Sequence, residues 1–329
     1  MQKLRIGVVG AGYISRTYHC PALKKLKRKY PALELAAICD IREEAAREAG
    51  AQFGFARTYN NLAAMLEAEE LEGVYLLIMP DGMKEAALAC IRRGIPLLLE
   101  KPPGNNSAEV AELAEAAERR GVPTVVALNR RFMPLVQRAR ELSLSRERRP
   151  QLILAQMLRF ERREAEFAYG TGVHAIDVMR FLGGEVTGVR TEKLMLAGNR
   201  SAAYFVEFDY ASGVQGRLAI LPETGVEAER YQIHGNDWSL LLDAPLDWTV
   251  DYPGKLTYFE GRRNFFVQDN SLWPETMRDN IAITGFLGES EHFLECLTAG
   301  AAPSPSLRDC LRSMQIAEAV LAGKNIEFK

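Results

Sequence analysis

Two side chains in this sequence are suited to moving protons, and each sits in a short stretch able to place it. His174 lies in FAYGTGVHAIDVMRF, residues 167 to 181, three residues before Asp177 and just after the loop-like Tyr169-Gly170-Thr171-Gly172. Lys101 lies in Glu100-Lys101-Pro102, closing the apolar run PLLLEKP. A neutral imidazole can take a proton from a hydroxyl, and does so best when its other nitrogen donates to a fixed acceptor. A lysine beside a bound cation has its ammonium form disfavoured, which makes it usable for proton transfer. Each residue also has a plain reading. Lys101 reads as an exposed lysine before a proline turn. His174 reads as a packed residue on the apolar face of Val173, Ile176 and Phe181, in a helix that Thr171 caps.

A third stretch supplies a reason for cationic chemistry. Gly10-Ala11-Gly12-Tyr13-Ile14-Ser15 follows an apolar run and opens a helical one, in the G-x-G-x-x pattern of a dinucleotide loop with serine in the third small position. The first glycine permits a tight turn, the second lets the backbone approach a pyrophosphate, and the helix N-terminus offers amide donors. Asp40 ends the next strand-like run, where a carboxylate accepts hydrogen bonds from the adenosine ribose hydroxyls. It would repel a 2'-phosphate and so favours NAD; Arg42, two residues on, offers a phosphate a partner and leaves NADP open.

The elements that must position these residues alternate in the first part of the chain. Strand candidates at 4–10, 33–40, 74–80, 96–102 and 123–129 are separated by helical windows such as EEAAREAG, NLAAMLEAE, MKEAALACIRRG and SAEVAELAEAAERRG. This predicts an α/β fold, an N-terminal Rossmann domain with a doubly wound parallel sheet, over 1–125. Beyond it, QLILAQMLRF, AAYFVEFDY, VQGRLAIL and RYQIHG follow one another with turn residues between. They predict a C-terminal α+β domain over 126–329 with an open, largely antiparallel sheet. Its last helices, ESEHFLECLTAG and LRDCLRSMQIAEAVLAG, are able to pack back on the first domain. The most linker-like stretch is ELSLSRERRP, 141–150.

Composition narrows the function classes. The 329 residues carry a net charge of -2 with 47% hydrophobic and 26% charged residues, an ordinary globular balance without a global pull towards nucleic acid or anionic membrane. The basic run KKLKRK at 24–29 reads as a solvated helix face. The N-terminal apolar run is too short to span a bilayer, so no membrane is expected. Five scattered cysteines without metal-like spacing point to a reducing, cytoplasmic setting and no metal site. His19, His234 and His292 have no partner visible in the sequence and read as structural.

Nearly the whole chain resembles the glucose-fructose oxidoreductase and inositol dehydrogenase family, Gfo/Idh/MocA. The matching stretches are IGVVGAGYIS, the strand ending at Asp40, LLLEKPPG, VVALNRRFMP, GTGVHAIDVMRFLGGEV and ESEHFLECLTAGAAPSPSLRDCLRSMQIAEAV. The resemblance implies NAD(P)-dependent hydride transfer to or from a sugar, cyclitol or related polyol, and a homodimer or homotetramer built with the C-terminal sheet. It implies that Lys101 and His174 are the catalytic pair. Cofactor contacts are expected from Gly10, Gly12, Tyr13, Ile14, Asp40, Ile41, Arg42, Met79, Pro80, Glu100, Lys101 and Asn129, and substrate contacts from Arg131, Tyr169 and Asp177. Arg162, Arg163, Glu164 and Glu166 border the same stretch.

The chain departs from the family pattern in two places. Many family dehydrogenases carry D-x-G-x-H, whereas this sequence reads G-T-G-V-H, with Gly170 in the aspartate's slot. Asp177 one turn along the helix, the phenol of Tyr169, or Lys101 acting alone remain as ways to serve the proton step. The other departure is Met79-Pro80-Asp81 followed by Lys84, where the family has T-P-N and a histidine; Pro80 still shapes the turn, and Asp81 adds negative charge. The absent aspartate leaves two alternatives: a lyase or glycosidase that uses NAD without net redox change, and a catalytically silent dinucleotide-sensing regulator.

Overall fold

The computed structural model describes residues 3–144, 150–247, 249–270 and 279–328. Residues 145–149, half of the linker-like stretch at 141–150, lie outside them. The chain forms two compact units, Met1–Leu128 with Phe286–Arg312, and Asn129–Gly285 with Ser313–Lys329. A boundary at 125/126 assigns all of 286–312 to the second domain, whereas the first compact unit takes that stretch in.

The first unit begins with β1 (Leu4–Val9), a π-helical segment (Ser15–His19) that runs into α1 (Cys20–Leu26), β2 (Leu33–Cys39) and α2 (Glu43–Phe53). There follow β3 (Arg57–Tyr59), α3 (Leu62–Ala68), β4 (Gly73–Leu76), α4 (Pro80–Arg92), β5 (Leu97–Leu99), α5 (Ser107–Arg120) and β6 (Thr124–Val126). The sheet order is β3-β2-β1-β4-β5-β6, with every pairing parallel. Helices cover both faces of such a sheet, which is why its strands are almost wholly apolar and buried. The order reverses at β1, so the crevice that binds ligands in open α/β sheets lies beyond the ends of β1 and β4. The short edge strand β3 is not legible in the sequence, because RTY has only three residues and is largely exposed.

The helix after the glycine loop is also not regular. Pro21 has no amide hydrogen to donate, and the ladder widens to π geometry just upstream of it. Phe293, Leu294 and Cys296 join the core built on Ile6, Val8 and Tyr75, which is the packing reason the late segment belongs to this unit.

The second unit contains α6 (Pro134–Leu144), β7 (Leu152–Leu158), α7 (Phe167–Gly170), α8 (Val173–Gly183), β8 (Val186–Leu194), β9 (Ala203–Tyr210), β10 (Gln215–Leu221) and β11 (Ala228–His234). It continues with β12 (Trp238–Ala244), β13 (Lys255–Glu260), β14 (Arg263–Asp269) and the short α9 (Asn280–Ile283). The chain closes with α10 (Phe286–Thr298), α11 (Leu307–Ala322) and β15 (Ile326–Glu327). The nine-stranded sheet runs β14-β13-β12-β11-β7-β10-β9-β8-β15, antiparallel except for the β10–β7 pair. Buried and exposed positions alternate along β9, β10, β11 and β12, as expected when one face is packed and the other is open. Among the described residues no helix is long and apolar enough to cross a membrane.

Candidate active site

The carboxyl edge of the parallel sheet is shaped by two glycines that act differently. Gly10 has φ +97°, and a Cβ there would stand 2.2 Å from the Leu77 carbonyl oxygen, so only glycine fits. Its amide donates to the Cys39 carbonyl at 2.7 Å, which ties the ends of β1 and β2 together. Around Gly12 there is no protein atom within 4 Å of where a Cβ would be. That open space lies at the start of the helix, where a phosphate can reach the backbone amides.

Asp40, just past β2, is buried and clamped. The Ala11 amide donates to Oδ2 at 2.7 Å and the Arg42 amide to Oδ1 at 2.9 Å, with Arg42 Nε at 3.3 Å from the same oxygen. Burial alone would push its carboxyl up, but these amides and the guanidinium outweigh it and hold it below the usual carboxylate range. An ionised, fixed acceptor therefore stands beside the glycine loop, with lone pairs left for further donors. Around it, three large apolar side chains face solvent: Ile41 is 91% exposed, Met79 77% and Tyr13 75%. They follow β2, β4 and β1 respectively, and an aromatic base or a sugar ring would cover them. Pro80 occupies the first turn of α4 and Asp81 follows it there; Ile14 packs partly into the core. These residues fit the adenosine and pyrophosphate of a dinucleotide.

Glu100 and Lys101 leave β5 at the same edge. The Glu100 amide donates to the Leu76 carbonyl at 2.8 Å, and the Lys101 side chain is partly exposed. Glu100 turns inward, where its Oε2 lies 3.6 Å from His19 Nε2. The same ring nitrogen is 3.8 Å from Oε1 of the buried Glu289. His19 is thus not the partnerless histidine its sequence context suggests. His234 Nδ1 likewise pairs with Ser239 Oγ at 2.8 Å, and His292 Nε2 accepts the Ser304 amide at 3.0 Å.

In the second unit, α7 and α8 are separated only by Thr171 and Gly172, and both Tyr169 and His174 are buried. Thr171 does not cap α8. Gly172 is the N-cap, and Thr171 Oγ1 instead accepts a hydrogen bond from Arg162 Nη2 at 3.1 Å. Beyond its own helix turn and chain neighbours, no atom lies within 4 Å of a Cβ at Gly170, so the slot of the family's aspartate is open space. Asp177 is occupied elsewhere: Arg131 donates Nε to Oδ2 and Nη2 to Oδ1, both at 2.6 Å, and Ser313 Oγ donates to Oδ1 at 2.7 Å. Arg180 donates to Ser313 at 2.7 Å and extends the network. The spacing offers Asp177 to His174, and Arg131 and Asp177 to a substrate; the structure pairs Arg131 and Asp177 with each other in the interior. Their roles as substrate contacts are corrected to that of a buried anchor for α8.

Asn129 also differs from expectation. It is buried, its Nδ2 donates to the Thr284 carbonyl at 2.8 Å, and its Oδ1 accepts from Arg130 at 3.1 Å. Arg130 and Arg159 meet on the wholly buried Glu229. Sequence reasoning misses this carboxylate entirely, since its partners lie 99 and 70 residues away. Among the described residues no group of three or more His, Cys, Asp or Glu side chains is placed to hold a metal ion.

A six-stranded parallel sheet with this glycine loop and clamped aspartate defines a dinucleotide-binding oxidoreductase architecture. Residues 4–128 match the model of an oxidoreductase family with an NAD-binding Rossmann fold, and 163–325 match the C-terminal alpha/beta domain of the same family. The chain belongs to the Gfo/Idh/MocA family of oxidoreductases. It is 25% identical to D-apiose dehydrogenase of Paraburkholderia graminis, over 100% of this chain and 91% of that one. It is 28% identical to inositol 2-dehydrogenase 2 of Saccharopolyspora erythraea, over 79% of this chain and 78% of the relative. Its fold matches levoglucosan dehydrogenase, solved with NADH and L-sorbose, with a TM-score of 0.86, 18% identity and full coverage of both chains.

Proposed function

We propose that this protein is an NAD-dependent dehydrogenase of a sugar, cyclitol or related polyol. The observation that carries the cofactor choice is the clamped, ionised Asp40 beside the open Gly12: it accepts ribose hydroxyls and repels a 2'-phosphate. The exposed Arg42 side chain, which reaches Asp40 Oδ1, tempers that repulsion and makes NADP a poorer second cofactor. Dehydrogenases of D-apiose and of inositol among the relatives support the substrate class.

When bound, the nicotinamide supplies the hydride acceptor or donor. The chain's own part is proton transfer and placement. Lys101 and His174 are the residues we assign to the hydroxyl proton and to the grip on its oxygen. Ile41, Met79 and Tyr13 would cover the adenosine, and Gly12 would admit the pyrophosphate. The Arg131–Asp177–Ser313 network fixes α8 and with it His174. Arg162, by its bond to Thr171, braces the segment next to the histidine. The open face of the nine-stranded sheet, with Phe205, Phe265 and Val267 exposed, suits a homodimer or homotetramer in a cytoplasmic setting.

Absorbance at the NADH band, read with NAD or NADP against D-apiose, inositols, levoglucosan and sugar acids, tests this reading. The expected result is NADH formation that falls by about 100-fold or more in Lys101→Ala and in His174→Ala, the usual scale for a lost acid or base. Silence across the panel, with NAD binding intact by calorimetry, would overturn it.

A further inference from the structure

The most unusual feature of the first unit is a set of buried acidic and basic groups behind the cofactor loop. His19 is 0% exposed at the end of the π-helical segment, and neither ring nitrogen makes a hydrogen bond. Nε2 faces two carboxylates, Glu100 Oε2 at 3.6 Å and Glu289 Oε1 at 3.8 Å. The ring is held edge-on by Tyr75 at 5.9 Å and by Phe286 at 5.4 Å between centroids. The other titratable neighbours on these elements are the Cys20 thiol, which burial pushes up to about 11, and the Tyr75 phenol, which burial also raises. A buried carboxylate needs a polar partner close by, and the one imidazole is the group that both of these carboxylates face.

The placement links three elements. His19 ends the π segment that follows the glycine loop, Glu289 lies on α10, and Glu100 is the residue before Lys101. A regular α-helical turn in place of the π turn would rotate His19 away from both acids, because each residue added to a turn shifts the following side chains by about 100°.

We propose that His19 is a positioning residue: held between Glu289 and Glu100, it orients the Glu100 side chain and thereby the adjoining Lys101. This rests on the assignment of the proton step to Lys101. The ring draws Glu100 inward, while Lys101, at the next position, stays partly exposed. Glu289 supports the ring from behind.

The test compares His19→Gln, Glu289→Gln and the double variant with the wild-type chain. The first readout is free of turnover: reductive 13C-methylation of lysines, with the Lys101 signal assigned through Lys101→Arg and followed by NMR as pH is varied. His19→Gln removes the ring that Glu100 faces, which frees that carboxylate to turn towards Lys101, so the Lys101 titration midpoint is expected to move up by half a pH unit or more. In the double variant, where Glu289 no longer repels Glu100, it is expected to return towards wild type. The second readout is kinetic. His19→Gln is expected to lower kcat about tenfold with the NAD dissociation constant changed less than twofold, and the double variant to regain part of kcat. An unmoved Lys101 midpoint in His19→Gln would overturn the proposal. So would loss of NAD binding and of folding in both His19→Gln and the double variant, because a purely structural histidine gives that pattern. A wild-type protein silent on all polyols would sink the dehydrogenase reading while leaving the NMR result to decide this one.

Discussion

The two regions that carry the candidate chemistry are built in opposite ways. At the carboxyl edge of the parallel sheet, the anchors are backbone amides and short chain separations: Asp40 takes its hydrogen bonds from Ala11 and Arg42, 29 and 2 residues away. At α8 the anchors are side chains from distant segments: Asp177 is held by Arg131 and Ser313, 46 and 136 residues away. The first kind of site can tolerate much side-chain change, since the fold supplies the donors. The second depends on every partner being present, since a buried charge without its counter-ion is costly.

That contrast is sharpest at Asp177. Asp177→Ala leaves Arg131 buried and uncompensated, and is expected to cost about 3 to 5 kcal/mol in urea unfolding. Asp177→Asn, which keeps the shape, should cost clearly less. A loss under 1 kcal/mol for Asp177→Ala would mean that the network does not anchor α8.

A similar dependence is expected to show in acid. Burial would raise the Glu229 carboxyl, but Arg130 and Arg159 bring it from 4.5 down to about 2. Because the folded value is the lower one, the stabilisation is complete above pH 4.5 and is lost as pH falls towards 2. The loss should be of order 3 kcal/mol, and Glu229→Gln should flatten this limb of the stability profile. An acid limb as steep in the variant as in the wild type would contradict it.

At the cofactor edge the expected effects are smaller and separate cleanly. Gly10→Ala forces a side chain into positive φ against the Leu77 carbonyl and should cost about 2 kcal/mol of stability. Gly12→Val should leave the melting temperature nearly unchanged and weaken NAD binding about tenfold, or about 1.4 kcal/mol. If Gly12→Val destabilised the fold as much as Gly10→Ala, the open space at Gly12 would not be a ligand's.

Legibility in the sequence follows the same division. The strands β1, β2, β4, β5 and β6 are readable because each is a short apolar run between helices of clear period. The loop at Gly10 and Gly12 and the acid at Asp40 are readable because their spacing is local. Strands β8, β12, β13 and β14 are harder: many of their positions are not buried and carry mixed side chains, so no clean run marks them. The helix α6, PLVQRARELSL, takes in the first four residues of the linker-like stretch, whose charge hides it.

The sequence by itself determined the two fold classes and the glycine loop, and singled out Asp40, Lys101 and His174 as candidates for the ribose and the proton step. Only the tertiary structure decided that Asp177 belongs to Arg131 and Ser313, that Asn129 is spent on Thr284 and Arg130, that Phe286–Arg312 completes the first unit, and that His19 faces two glutamates. The physical reason is range. Backbone turns and strand periodicity are set by neighbours in the chain, whereas the pairing of buried charges is set by which distant segments the packed core brings together.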